Sequence, residues 1–193
     1  MISPLRFGRE EAEQYIFFYE HGLPRAVGNM LSAGGSAPAT LAGAVALQLA
    51  ETFFLNLLRW AFEGGPEAST GILHGASAGR HQLSFGPSVS VMDMKHCIYP
   101  YGRPEIALTH LAMGQLARRY RANFGSNSFS GDAKVPGPEA GMQKAFSTIA
   151  GIIAGTRTLG AMGLLSVDEI FSMDQLVIDG EFASALKRLA RGF

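Results

Sequence analysis

The apolar positions of this chain fall into helical stripes separated by short apolar runs that end in glycine or proline. A first helix is predicted over Arg9 to His21. Tyr15, Ile16, Phe18 and Tyr19 can share one face, Glu10, Glu11 and Glu13 suit its positive end, and Gly22 stands where glycine often ends a helix. "PRAVGNML" (24–31) reads as a strand and "SAGGSAP" as the loop after it. Pro38 or Thr40 opens a long apolar helix that ends near "EGGP" (63–66). Residues 64–81 carry no period and read as a mobile insertion. "QLSFGPSVSVM" (82–92) predicts a strand and its exit, and Pro104 with Glu105 begins a helix over 104–120. "RANFGSNSF" (121–129) is a third strand, 137–155 a helix, and "TRTLGAMG" (156–163) a fourth strand. Ser172 caps a last helical region, with Gly180 as a break point.

The order is one helix followed by four strand–helix units within a single domain, 1–193. Such alternation predicts parallel strands with right-handed crossovers. Four units make about half of a (β/α)8 barrel of the TIM type. A doubly wound open sheet is the second topology. In either fold, functional groups gather after the carboxyl ends of the strands. Those segments are 29–36, 85–101, 126–134 and 160–165, which are also rich in glycine and polar residues.

Composition narrows the class. The chain has 193 residues, 47% hydrophobic and 17% charged, with 24 glycines, which fits one globular domain with tight loops. Lys plus Arg equals Asp plus Glu at 16 each, so neither nucleic acid nor an anionic membrane is expected as a partner. Cys97 is the single cysteine, which excludes an intrachain disulfide and suits a reducing compartment. The first residues show no apolar signal core, and Gln48, Glu51, Asn56 and Arg59 interrupt the long apolar run, which therefore reads as an internal helix. A cytoplasmic location is the expectation.

Four stretches carry a more specific signal: "SAGGSAPATLAGAVALQLAE" (32–51), "SFGPSVSVMDMKHCIYPYGRPEIAL" (84–108), "GDAKVPGPEAGMQKAFS" (131–147) and "FSMDQLVIDGE" (171–181). Together and in this order they resemble the trimethylamine methyltransferase family of corrinoid-dependent methyltransferases. The resemblance implies a (β/α)8 barrel that moves a methyl group from a methylated or quaternary amine to the cobalt of a partner corrinoid protein. It implies no cofactor bound directly by the chain, the corrinoid being carried by the partner. Members that use trimethylamine carry pyrrolysine; this chain has none, so a glycine betaine type of substrate is expected. Against the family's pattern, the chain would be a middle segment, expected to need a missing barrel half or a second copy. It carries the 64–81 insertion, and it has Lys95 and His96 where an arginine and no histidine are expected.

Within that frame the candidate residues each have two readings. Asp93 would face a substrate ammonium, or cap its own loop through backbone amides. Asp132 and Lys134 alternate in an extended segment, so they would point the same way, as a site pair or as an ion pair that anchors the loop. Tyr101 lies at the mouth, and Glu105 would bind substrate or simply suit the helix start. Phe85, Tyr99, Tyr101 and Phe129 would form an aromatic cage for an ammonium that cannot donate hydrogen bonds, or would pack in the core. Gly34, Gly35 and Ser36 would offer amides to an anion such as a betaine carboxylate, or form a plain turn. His96 and Cys97 have no second ligand at metal spacing, and His21, His74, His81 and His110 are scattered, so no metal is expected. P-loop and GxGxxG motifs are absent. Methyl transfer to a cobalt nucleophile needs no protein base, which agrees with the lack of acid–base pairs. The other readings are a Schiff-base lyase using Lys134, and a non-catalytic barrel fragment or subunit of a split enzyme.

Overall fold

The computed structural model describes residues 2–23, 28–63, 83–86, 89–156 and 159–191. The expected insertion at 64–81 lies outside these residues, as does the start of the first expected strand. Helices α1 (Arg9–Glu20), α2 (Leu41–Glu63), α3 (Pro104–Arg119), α4 (Pro138–Ala154) and α5 (Met173–Arg191) match the helical stripes closely. Pro104 and Pro138 occupy first-turn positions in α3 and α4, where the missing N–H costs nothing. Ser172 caps α5 by accepting a hydrogen bond from the Gln175 amide at 3.2 Å, and α5 runs through Gly180 without the expected break.

The strands are short: β1 (Leu31–Ala33), β2 (Ser84–Phe85), β3 (Val89–Val91), β4 (Asn123–Phe124), β5 (Leu164–Leu165) and β6 (Ile170–Phe171). β1 pairs in parallel with β3, Leu31 opposite Val89, and β2 pairs in parallel with β4. The segment that carries β2 and β3 therefore lies between the first and third expected strands, as parallel strand–helix units require. The fourth unit departs from expectation. Ala161 takes a left-handed conformation at φ 59, the strand begins only at Leu164, and β5 turns back to pair antiparallel with β6. Among the described residues the strands form three separate pairs, in a mixed α/β chain.

Helix α2 carries a buried polar face. Leu41–Phe62 is long and apolar enough to cross a membrane, yet Gln48, Glu51, Asn56 and Arg59 are all buried. Their bonds explain this. Asn56 exchanges hydrogen bonds with the Ser84 backbone, both at 3.3 Å, and so acts as an extra neighbour for β2. Gln48 donates to Asn29 Oδ1 and to the Gly86 carbonyl. Glu51 accepts from the Ser3 hydroxyl, the Leu5 amide and Asn29 Nδ2, tying the N-terminal turn to the helix. These bonds lower the cost of burying Gln48, Glu51 and Asn56.

Two contacts fix the remaining layers. Leu31, Ala33 and Val89 pack with Ala44 and Leu47 of α2. Helices α3 and α4 approach closely: a Cβ on Gly114 would lie 2.5 Å from the Ala154 carbonyl oxygen, so only glycine fits there. His110 lies in the same seam, fully buried, with Nδ1 3.1 Å from the Ser147 carbonyl oxygen.

Candidate functional site

The site is built on the face of β1 and β3 that α2 does not cover. Side chains alternate along a strand. Leu31, Ala33 and Val89 point to α2, so Ser32 and Ser90, which are register partners, point to the other side. Met30 and Met92 extend that face by the same period. The Ser32 hydroxyl oxygen is buried and has no partner among the described residues. Met92 reaches across to the loop after β1, where Gly35 leaves room: a Cβ there would lie 2.7 Å from the Met92 sulfur.

The loop after β3 folds back over this face. The Ser90 hydroxyl donates a short hydrogen bond to the Pro100 carbonyl, and the Tyr101 hydroxyl lies 3.6 Å from the Met30 sulfur. Tyr99 and Tyr101 meet edge to face with ring centroids 5.2 Å apart. The Tyr99 hydroxyl is buried without a partner among the described residues. Burial, and then Tyr101, push the Tyr99 phenol far above its ordinary value. Burial, and then the charges of Asp168 and Asp132, raise the Tyr101 phenol. Both rings thus stay neutral at physiological pH.

Asp132 holds this loop in place. Its carboxylate accepts from the Tyr101 amide at 2.6 Å and the Gly102 amide at 2.9 Å. Its own amide, and that of Ala133, donate to Gln143 Oε1 of α4. Lys134 is exposed, and among the described residues no ion pair joins it to Asp132. The expectation that the two side chains work as a pair is corrected: the carboxylate turns in to two amides thirty residues away, and the ammonium stays in water. That exposure also removes the basis for the Schiff-base reading, since such a lysine works from a desolvated pocket.

The other candidates separate. Asp93 accepts from the Lys95 and His96 amides at 2.9 and 3.1 Å, from His96 Nδ1 and from Arg103. Bonding to His96 chiefly holds its carboxyl down at about 2, so it is an ionised loop cap. Glu105 sits in the first turn of α3, where a carboxylate meets the positive helix end. Phe85 is fully buried against Met113 and Ala117, and Phe129 against Phe182 and Ala183, so neither joins Tyr99 and Tyr101 in a cage. The Gly34 and Gly35 amides donate to the Ala37 and Ser32 carbonyls, and the Ser36 hydroxyl accepts from the Ser32 amide. These bonds close a turn and leave those two glycine amides unavailable to an anion.

Sequence reasoning missed Met30, Ser32, Ser90, Met92 and Asp168. Period-two alternation through 30–33 and 89–92 was the signal for the first four. Asp168 carries no local signal. Also missed was a buried ionic cluster: Lys144 donates to Asp179 at 2.6 Å, and Asp179 accepts from the Gly163 amide and Gln175 Nε2. Among the described residues no group of three or more His, Cys, Asp or Glu is placed to hold a metal ion.

A mixed α/β chain with two parallel strand pairs, and an aromatic and thioether face on which the described residues place no acid–base pair, is the class these features define. The chain belongs to the trimethylamine methyltransferase (MTTB) family, whose profile matches residues 1–193. It is similar to the trimethylamine methyltransferase of Methanosarcina thermophila, 31% identical over 191 residues, which are 98% of this chain and 36% of that protein. It is similar to the trimethylamine methyltransferase of Methanosarcina barkeri (strain Fusaro), 30% identical over 98% of this chain and 35% of that protein. Similarity extends to the glycine betaine methyltransferase of Desulfitobacterium hafniense (strain Y51), 25% identical over 100% of this chain and 37% of that protein. The chain spans about a third of the length of these curated relatives.

Proposed function

We propose that this chain is the substrate-holding part of a methyltransferase of the (β/α)8 type that takes a methyl group from a methylated ammonium compound. The observation that carries this reading is the Tyr99–Tyr101 pair laid over the Met30, Ser32, Ser90 and Met92 face, in a chain of this family. A quaternary ammonium offers no N–H, so it is held by aromatic faces and by nearby negative charge. Tyr99 and Tyr101 supply the rings. Asp168, whose charge is felt at the Tyr101 phenol, supplies the counter-charge. The unpartnered Ser32 hydroxyl can donate to the carboxylate of a betaine. Water is kept out by the loop that Asp132 anchors.

The reaction breaks one N–CH3 bond, and the bonding pair stays on nitrogen as the lone pair of a neutral amine. No protein base is needed, which suits a face without one. A corrinoid carried by a partner protein supplies the nucleophile for the methyl group when it docks. The residues on this chain suited to that docking are the exposed Met94, Ile98 and Val135, on the two loops at the rim of the face.

The test is incubation with glycine betaine or trimethylamine and reduced cobalamin, alone and with the remainder of a family barrel, followed by NMR of the amine product. Dimethylglycine or dimethylamine is expected, and it should fall at least tenfold in Tyr101→Ala. No demethylated product in any combination would reject the proposal.

A further inference from the structure

Helix α4 is flanked by α3 on one side and α5 on the other: Gly114 abuts Ala154, and Lys144 bonds Asp179. Among the described residues, neighbouring strand–helix units therefore leave its outer face uncovered. The exposed positions between 142 and 154 are Met142 (56%), Phe146 (50%), Ile149 (37%) and Ile153 (67%), and none is polar. A solvated helix face normally carries charge, and a contiguous apolar stripe of a few hundred Å² marks an interaction site.

We infer that this stripe is a two-fold interface at which α4 of one copy packs antiparallel on α4 of a second copy. The spacing is four, three, four, which reads the same in both directions. A two-fold axis level with residues 147 and 148 sets Met142 against the partner's Ile153 and Phe146 against the partner's Ile149, and the reverse. Such spacing is also the a/d seam of helices packed at a shallow angle. The charges at the two ends of the stripe agree with this arrangement. Exposed Glu139 extends it at the N-terminal end, three residues before Met142. At the C-terminal end Arg118 lies against α4, donating to the Ala154 carbonyl at 2.8 Å. Antiparallel packing brings Glu139 of one copy to Arg118 of the other, at both ends of the seam. A parallel pairing would instead set Glu139 against Glu139. The Gly141 position, beside the stripe, has open space around it, so close approach of a second backbone meets no obstacle there. This face lies on α4, apart from the β1–β3 face, so the inference does not depend on the methyl-transfer reading.

The test is sedimentation equilibrium of the 193-residue chain. Twice the monomer mass is expected, with Ile149→Lys returning it to the monomer while far-UV circular dichroism stays unchanged. Glu139→Arg should weaken the dimer severalfold, and adding Arg118→Glu should restore it. In a Cys97→Ser background, Met142→Cys mixed with Ile153→Cys should cross-link between copies, and neither should cross-link alone. A wild-type chain that stays monomeric at its highest soluble concentration would overturn the inference. So would a dimer indifferent to Ile149→Lys, or cross-linking of Met142→Cys with itself.

Discussion

Replacing Asp132 separates an organising carboxylate from a catalytic one. The side chain is half-buried and accepts two backbone amides, Tyr101 at 2.6 Å and Gly102 at 2.9 Å. A hydrogen bond to a charged group contributes about 1.5–3 kcal/mol. Two bonds at the lower figure give about 3 kcal/mol, and partial exposure lowers this to about 2 kcal/mol, because the freed amides gain some access to water. Asp132→Ala should therefore cost about 2 kcal/mol in urea unfolding, with an unchanged m-value. Asp132→Asn keeps one oxygen but turns an NH2 toward the second amide, so it should cost about as much as one lost bond, roughly 1 kcal/mol. Hydrogen exchange at the Tyr101 and Gly102 amides should accelerate in both variants. Lys134→Ala should stay within about 0.5 kcal/mol of the parent, as an exposed side chain without a partner among the described residues does. If Asp132→Ala left stability and exchange unchanged, or Lys134→Ala cost as much, the anchoring argument would be refuted.

Three further predictions follow from buried groups. Burial holds His110 down at about 4, partly opposed by its bond to Ser147, against 6.5 in the unfolded chain. As pH falls from 6.5 toward 4, the unfolded state takes up a proton that the fold refuses, so stability drops by up to about 3 kcal/mol. The wild-type minus His110→Gln stability difference should carry that slope, and a flat difference would contradict it. Gly114→Ala should cost about 1–3 kcal/mol by forcing α3 from the Ala154 carbonyl, read as a fall in Tm. Asp179→Ala leaves Lys144 buried and unpaired, so it should cost about 3–5 kcal/mol, and adding Lys144→Met should recover part of that loss.

All five helices were legible because stripes, prolines and glycines act locally. The strands were legible only as positions, since two or three paired residues leave little period to read. The fourth strand was misread because Ala161, Ser166 and Val167 take left-handed conformations that their residue types do not announce. "SGDAKVPGPEAG" was legible as a loop that mattered, but not in its partners, because Tyr101 and Gly102 come from another unit. "FSMDQLVIDGE" marked the family, and the fold explains two of its residues: Gln175 and Asp179 close the cluster around Lys144. The polar interruptions of α2 argued for an internal helix. Their work as a suture to Ser84, Gly86 and the N-terminal turn needed the three-dimensional arrangement.

The central claim is that Tyr99 and Tyr101 hold a methylated ammonium, and calorimetric titration with two carboxylates of one shape, one with and one without the ammonium charge, tests it most directly. Glycine betaine should bind, and 3,3-dimethylbutanoate, with carbon in place of the ammonium nitrogen, should bind at least about tenfold more weakly. Tyr101→Leu should abolish that preference while leaving the urea midpoint nearly unchanged. Equal affinity for the two ligands, or a preference that survives loss of both rings, would contradict the account.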